Sequence, residues 1–284
     1  MLVTLLHNPE SGESHPSADE LCSLIENAGH HVSYCSFEDD WKRCLERESD
    51  LVAVAGGDGA VCNVLAELPG KGPPATIIPL GSANNIATAL GLVHHTAEEL
   101  VEGWSTAPRS RYDLGEPGKF AESAGCGLFA AMLERGSDGP SGEDKVEHGL
   151  HVLRELVEGA QAEPWRIELD GVERSGALLA VEAMLIGVTG PGVVLAPLAD
   201  SSDGLFDVVL IGEEDRPELA RYVADRLARR ATRPPRLPLE RAREVVIHPE
   251  GRPLRVDDDL LDEPPARARF STGHLWVEVV TPRA

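Results

Sequence analysis

The sequence predicts an α/β N-terminal domain, doubly wound, followed by a C-terminal antiparallel β-sandwich domain, and three observations carry that prediction. First, Leu51-Val-Ala-Val-Ala55 is a short apolar run that ends abruptly in Gly56-Gly57-Asp58-Gly59, the pattern of a strand buried on both faces of a parallel sheet with its chemistry at the carboxyl end. Second, strand-like and helix-like segments alternate through about residue 105, as in a doubly wound unit whose loops face one edge. Third, the grammar changes at Asp113, after which short strand-like segments are separated by Gly, Pro and Asp, as in a sandwich. The expected domains are 1–112 with the tail 275–284, and 113–274.

The elements follow in order. Leu2 to His7 reads as the first strand, and Ser17-x-x-Glu20 as a capping box opening a helix with Leu21, Leu24, Ile25 and Ala28 on one side. His31 to Ser36 is a second strand. After the run at 51–55, the spacing Val61, Val64, Leu65, Leu68 predicts a helix. Ala75 to Pro79 is a further strand, and Leu80-Gly-Ser-Ala-Asn-Asn-Ile-Ala-Thr-Ala-Leu-Gly-Leu92 repeats the order strand, glycine turn, helix. Beyond Asp113, strands are expected at 120–133, 165–170, 176–189, 193–197, 205–212, 243–248, 253–256 and 266–270. Two helices interrupt them: 143–158, opened by Ser141-x-x-Asp144, and 216–230, opened by Asp215-x-x-Glu218 with Pro217 near its start. Arg233-Pro-Pro-Arg-Leu-Pro238 reads as a stiff connection, and Leu275 to Val280 as a last strand.

The glycine loop carries the chemistry. Gly56, Gly57 and Gly59 can take positive φ and admit close approach of a ligand, and their N–H groups can form an anion-binding concavity at the N-terminus of the following helix. Asp58 would repel a polyphosphate unless a cation lay between them, which argues for Mg²⁺. Ser82, Asn84 and Asn85 sit at the second such turn. The dinucleotide fingerprint fits poorly, because Cys62 falls where its third glycine belongs, and no Gly-Lys-Ser/Thr of the Walker type occurs.

Together these motifs resemble the diacylglycerol kinase catalytic-domain family, which includes bacterial lipid kinases and the sphingosine and ceramide kinases. Asn8-Pro9-Glu10-Ser11-Gly12 is similar to its first nucleotide loop, Gly56 to Gly59 to its second, and Pro79 to Asn85 to its third. Asp113 resembles the acidic residue at the entry to the family's second domain, and Leu195 to Asp207 its metal-associated segment. The resemblance implies a fold like that of the diacylglycerol and NAD kinases, and an ATP- and Mg²⁺-dependent kinase acting on a hydroxyl of a lipid or lipid-like alcohol. It implies nucleotide contacts from Asn8, Pro9, Ser11, Gly12, Gly56, Gly57, Asp58, Gly59, Ala60, Gly81, Ser82 and Asn84. Metal is expected at Asp113 and Asp203, with backbone oxygens of Asp200 and Leu205, and catalysis from Asp58 and from Asp259 as acceptor of the hydroxyl proton.

The chain also departs from the family. Ala60 stands where threonine is usual, removing a hydroxyl near the phosphates; one hydrogen bond to a charged group is worth about 1.5–3 kcal/mol. Asn84-Asn85 replaces Asn-Asp, and Val256-Asp-Asp-Asp259 replaces the usual Asp-Gly-Glu, so the proposed base has a shorter side chain. A nucleotide- or lipid-binding protein with lost or weak turnover, and a NAD kinase, therefore stay open as alternatives.

Composition bounds the rest. The 284 residues are 42% hydrophobic, enough for a large core, and no apolar stretch reaches membrane-spanning length. Five cysteines, an odd number without a Cys-x-x-Cys pair, suggest free thiols and a reducing cytoplasm. The net charge of −22 excludes nucleic acid as an expected partner and tight docking on anionic lipid, leaving transient, peripheral membrane contact; a homodimer stays open. His30-His31, His94-His95 and His148-x-x-His151 lack a third ligand at zinc spacing, and surface or capping roles are expected for them.

Overall fold

A computed structural model describes residues 1–11, 16–68, 70, 72–135 and 143–281. The chain divides into two compact units, Met1–Tyr112 with Trp276–Ala284, and Asp113–Leu275.

In the first unit, β1 (Leu2–His7), β2 (His31–Ser36), β3 (Leu51–Gly56) and β4 (Ala75–Pro79) form a parallel sheet in the order β4-β3-β1-β2. All of β3 is buried, as its unbroken apolar run requires. The connecting helices are α1 (Ala18–Asn27), α2 (Trp41–Cys44), α3 (Asp58–Glu67), α4 (Asn85–Ala89) and α5 (Ala97–Gly103). The capping box of α1 is present: the Glu20 N–H donates to Ser17 Oγ at 3.3 Å and the Ser17 N–H to Glu20 Oε2 at 2.7 Å. A second box, Thr96 with Glu99, opens α5. Leu21, Ile25, Val101 and Trp104 pack with Val3, Leu5, Leu51 and Ala53 on one face of the sheet.

The cysteine expectation is corrected here. Cys35 in β2 and Cys44 in α2 are joined by a disulfide across the short turn between them, with Cα atoms 6.6 Å apart. Cys22, Cys62 and Cys126 are free thiols, so cysteine usage does not argue for a reducing compartment. Among the described residues no helix is long and apolar enough to cross a membrane.

Two strands bear on both units in sequence: β5 (Arg109–Glu116) contains the boundary Tyr112/Asp113, and the 13-residue final strand contains the boundary Leu275/Trp276. In the second unit the strands are β6 (Ser123–Gly127), β7 (Glu163–Leu169), β8 (Val172–Glu173), β9 (Gly176–Met184), β10 (Val188–Thr189), β11 (Val193–Val194), β12 (Phe206–Gly212), β13 (Leu239–Ala242), β14 (Glu244–His248), β15 (Leu254–Val256), β16 (Asp259–Leu260) and β17 (Ala268–Val280). One layer runs β16-β15-β6-β9-β12-β13 and the other β8-β7-β14-β17, all pairs antiparallel. Phe120, Trp165, Ile167, Val181, Phe206, Val245 and Phe270 fill the core of this sandwich. The three helices α6 (Leu128–Glu134), α7 (Glu143–Gly159) and α8 (Arg216–Leu227) cover β9 and β12 through Phe129, Leu153, Leu219 and Tyr222.

Several element boundaries differ from expectation. The segment 120–133 is not one strand: β6 stops at Gly127, whose φ is +81° and where a Cβ would lie 2.1 Å from the Leu179 carbonyl oxygen, and Leu128 onward is helical. A short apolar run such as Leu128-Phe-Ala-Ala-Met-Leu has no periodicity to separate strand from buried helix. The box Asp215-x-x-Glu218 does not form: Asp215 Oδ2 accepts the Gly212 N–H at 2.8 Å, and Glu218 Oε1 accepts the Arg236 N–H at 3.0 Å. Expected strands at 266–270 and 275–280 are one continuous β17, whose Val279 pairs in parallel with Ala75 of β4. Ser141, the expected cap of α7, lies outside the described residues.

Candidate functional site

In the first unit, three loops leave the carboxyl ends of three adjacent parallel strands, β1, β3 and β4. The first begins at Asn8, whose N–H donates to the Ala55 carbonyl at 2.9 Å and whose Oδ1 accepts the Glu10 N–H at 3.1 Å, turning the chain over Pro9. Its Ser11 N–H returns to the Asn8 carbonyl at 3.1 Å. Gly12 lies outside the described residues.

The second and third loops touch backbone to backbone. A Cβ on Gly81 would lie 2.5 Å from Gly57 Cα, and one on Gly57 would lie 3.0 Å from Gly81 Cα, so neither position has room for a side chain. Gly56, Gly57 and Gly59 do not have positive φ, which corrects that expectation; close approach accounts for Gly57. Gly59 differs, since a Cβ there would meet nothing within 4 Å, leaving open space beside the start of α3. Gly57 is the N-cap of α3 and supplies no side-chain cap, so the first-turn N–H groups carry the positive end of the helix dipole.

Asp58 joins the loops. Its Oδ1 accepts the Ile86 N–H of α4 at 3.0 Å. Asn84, with φ of +51°, closes the third loop on itself by accepting the Gly81 N–H at 2.9 Å and donating Nδ2 to the Gly81 carbonyl at 2.6 Å. Ser82 is exposed in the turn between Gly81 and Asn84, while the Ala60 methyl is buried against Gly56. Next to this cluster, burial holds the His7 imidazole below its usual pKa, and its Nδ1 lies 3.3 Å from the Tyr34 hydroxyl.

A larger surface cavity of about 590 Å³ between α1 and α5 is lined by Asp19, Glu20 and Glu98 and none of the loop residues. Its acidic wall would repel phosphate, so the loop cluster is the better anion site.

In the second unit the aspartate run forms the tip of the β15–β16 hairpin, with Val256 opposite Asp259. Asp257, at φ +49°, accepts three backbone N–H groups: Ala121 at 2.9 Å, Glu122 at 2.8 Å and Ser123 at 3.1 Å. Asp258 and Asp259 are exposed. Beneath the hairpin, buried Arg255 donates to Glu182 Oε2 at 2.7 Å, Ser123 Oγ at 2.8 Å, Thr189 Oγ1 at 2.6 Å and the Asp257 carbonyl at 2.6 Å. Burial raises the Glu182 carboxyl above its usual pKa, opposed by the Arg255 charge. Sequence reading missed this network; a lone Arg and a lone Glu carry no local pattern, and only the sheet brings them together across 73 positions of chain.

The residues expected to hold metal are engaged within the chain. The Asp113 N–H donates to the Ser201 carbonyl at 2.6 Å and its Oδ2 accepts the Gly204 N–H at 2.7 Å. Asp200 Oδ1 accepts both the N–H and the hydroxyl of Ser202, at 2.9 and 2.6 Å. Asp203 Oδ1 accepts the Leu205 N–H at 3.0 Å and its Oδ2 pairs with Arg241 Nη2. The expected side-chain ligand is thus already paired with a cation, and the Arg241 charge beside Oδ2 would repel a divalent ion at the same carboxylate. Among the described residues no group of three or more His, Cys, Asp or Glu side chains is arranged to hold a metal. A cavity of about 250 Å³ elsewhere in this unit is lined by apolar Leu128, Leu156, Trp165 and Leu178 together with charged Glu134, Glu163 and Arg252.

Fold and loop cluster define a class: an α/β domain with glycine loops at parallel strand ends, linked to a β-sandwich. Family comparison agrees, matching residues 2–116 to the diacylglycerol kinase catalytic domain and 123–279 to the YegS C-terminal NAD kinase beta sandwich-like domain. The chain belongs to the diacylglycerol kinase catalytic-domain family, a family of lipid kinases. It is similar to a diacylglycerol kinase of Mycobacterium tuberculosis, with 29% identity over 84% of this chain and 79% of that protein. A diacylglycerol kinase of Staphylococcus carnosus is 26% identical over 98% of this chain and 94% of that one. Among solved structures, a diacylglycerol kinase of Bacillus anthracis superposes with a TM-score of 0.72 at 20% identity, covering 98% of this chain and 96% of that one. An NAD kinase from Archaeoglobus fulgidus, solved in complex with ATP, has the same fold at a TM-score of 0.55 and 14% identity, covering 100% and 94%.

Proposed function

We infer that this protein transfers the γ-phosphoryl group of ATP to a hydroxyl on a lipid or lipid-like alcohol. The observation that carries this reading is the loop cluster: three loops at adjacent strand ends, two of them meeting backbone to backbone at Gly57 and Gly81, beside the uncapped N-terminus of α3 and open space at Gly59. Such a cradle favours a polyphosphate by N–H donation and helix dipole. Asn8, Pro9, Ser11, Gly12, Gly56, Gly59, Ala60, Ser82 and Asn84 would complete the nucleotide contacts. A divalent ion arriving with the nucleotide supplies charge neutralisation on the phosphates.

Asp58 has two duties in this reading, holding α4 through Ile86 and facing the phosphates. Asp259, on an exposed hairpin tip anchored by Asp257, takes the acceptor's proton. Phosphoryl transfer needs positioning and charge stabilisation more than covalent chemistry, which suits a site built of loops and carboxylates. The leucine-lined side of the cavity beside Trp165 offers a place for the acceptor's hydrocarbon. Contact with the bilayer is peripheral and transient.

The test is transfer of label from ATP, with Mg²⁺, to a mixed-micelle panel of lipid alcohols, with NAD as a separate acceptor. Label in a lipid, reduced at least about a hundredfold in Asp259→Asn with ATP binding retained, supports the reading. Asp58→Asn keeps an acceptor for the Ile86 N–H and so separates chemistry from folding. Label in NAD alone, or ATP binding without transfer to any alcohol, overturns it.

A further inference from the structure

We propose that Arg241 is a built-in cation of the Asp200–Asp207 segment, its guanidinium standing where a divalent ion would otherwise neutralise the carboxylates, so that the segment holds its shape without metal. The segment carries three carboxylates, Asp200, Asp203 and Asp207, within eight residues. Arg241 lies directly opposite Asp207 across the β12–β13 ladder, and that register is what delivers its side chain to the segment. Its Nη2 pairs with Asp203 Oδ2, and its Nε lies 3.8 Å from Asp207 Oδ1, so one planar group spans two acids.

A guanidinium suits this place. It keeps its charge at every accessible pH and offers donors in a fixed fork, but it accepts nothing and cannot share a carboxylate oxygen with a cation at the same position. Besides its ladder pairing, the segment is held by bonds from Asp200 to Ser202 and from Asp203 to Leu205, and from Asp113 of β5 to Gly204. Each Asp203 oxygen already accepts one donor from the chain, and the Arg241 charge beside Oδ2 would repel a second cation there. This inference concerns the segment's own cation and stands or falls apart from the phosphotransfer reading.

The test is calorimetric titration of the full chain with CaCl₂ and with MgCl₂ in the absence of nucleotide, alongside thermal unfolding in EDTA and in either salt at matched ionic strength. Four proteins are compared: wild type, Arg241→Gln, Asp203→Asn and the double variant. Because the chain carries a net charge of −22, unspecific divalent binding is the baseline that Asp203→Asn defines. Wild type should titrate like Asp203→Asn and unfold at the same temperature in EDTA as in salt beyond that baseline. Arg241→Gln should unfold at lower temperature in EDTA, gain a divalent site at least about tenfold tighter than wild type, and recover stability in CaCl₂ or MgCl₂. The double variant should lose that site. A wild-type divalent site that disappears in Asp203→Asn, or an Arg241→Gln protein with neither lowered stability nor gained affinity, would overturn the proposal. If Arg241→Gln does not fold in EDTA but folds when refolded in CaCl₂, the cation requirement is demonstrated directly; Arg241→Lys, which restores charge, should then fold in EDTA.

Discussion

Gly81 is the clearest single-residue commitment in the molecule. Its missing Cβ is what lets the third loop rest on Gly57, so Gly81→Ala should displace both loops, cost about 1–3 kcal/mol in denaturant unfolding and abolish nucleotide binding. Ala60 points the other way. It carries no hydroxyl where the family resemblance leads one to expect threonine, and Ala60→Thr should raise kcat/KM for ATP by about tenfold to a hundredfold if the new hydroxyl reaches phosphate. Steady-state kinetics at saturating acceptor reads this, and an unchanged value would show that the hydroxyl has no phosphate to meet. His7 sets a pH limit on the same region. Burial lowers its pKa in the folded state below the ordinary 6.5, so the unfolded chain binds the proton more readily. Stability is therefore unaffected by this group above that value and falls as pH drops through 6.5 toward the folded pKa. Urea midpoints between neutral and mildly acid pH should decline less in His7→Phe than in wild type.

At the scale of elements, the β15–β16 hairpin is held from two sides, by the Asp257 carboxylate on three backbone N–H groups and by the buried Arg255–Glu182 pair. A buried ion pair adds little net stability over apolar residues, but removing one partner strands the other charge. Glu182→Leu alone and Arg255→Met alone should each cost about 3–5 kcal/mol, whereas the double variant should regain much of it; denaturant midpoints of these three and of the wild type form the cycle. The opposite result, an additive double variant, would mean the two side chains act independently. The same network explains why Asp257 and Asp259 differ despite identical chemistry. One faces a row of amides and is consumed by structure; the other is at the exposed edge strand and is available for chemistry.

At the scale of the whole molecule, the dominant property is charge. A net charge of −22 gives a repulsive field toward anionic surfaces, strongest at low ionic strength. Co-sedimentation with vesicles rich in anionic lipid should be weak and should strengthen as salt is added, the reverse of a polybasic protein. Binding that weakens with salt would show a basic contact face hidden by the net value.

Local order determined what was legible in the sequence alone. The run Leu51–Ala55 followed by Gly56-Gly57-Asp58-Gly59, the box Ser17-x-x-Glu20 and the change of grammar at Asp113 are each written within a few residues, and they predict the α/β domain, the sandwich and the glycine loops. Tertiary structure alone decided which partner each polar group found. Gly57 meets Gly81, Asp257 meets the amides of 121–123, Asp203 meets Arg241, and Cys35 meets Cys44, because sheet register and loop closure bring distant positions together. Leu128 to Glu134 turned helical for a similar reason: with no period in the run, Gly127 and the packing against α7 and β9 chose the conformation. A short-range pattern is set by backbone geometry and burial, whereas a charge's partner is set by whatever the fold places within a few ångströms of it.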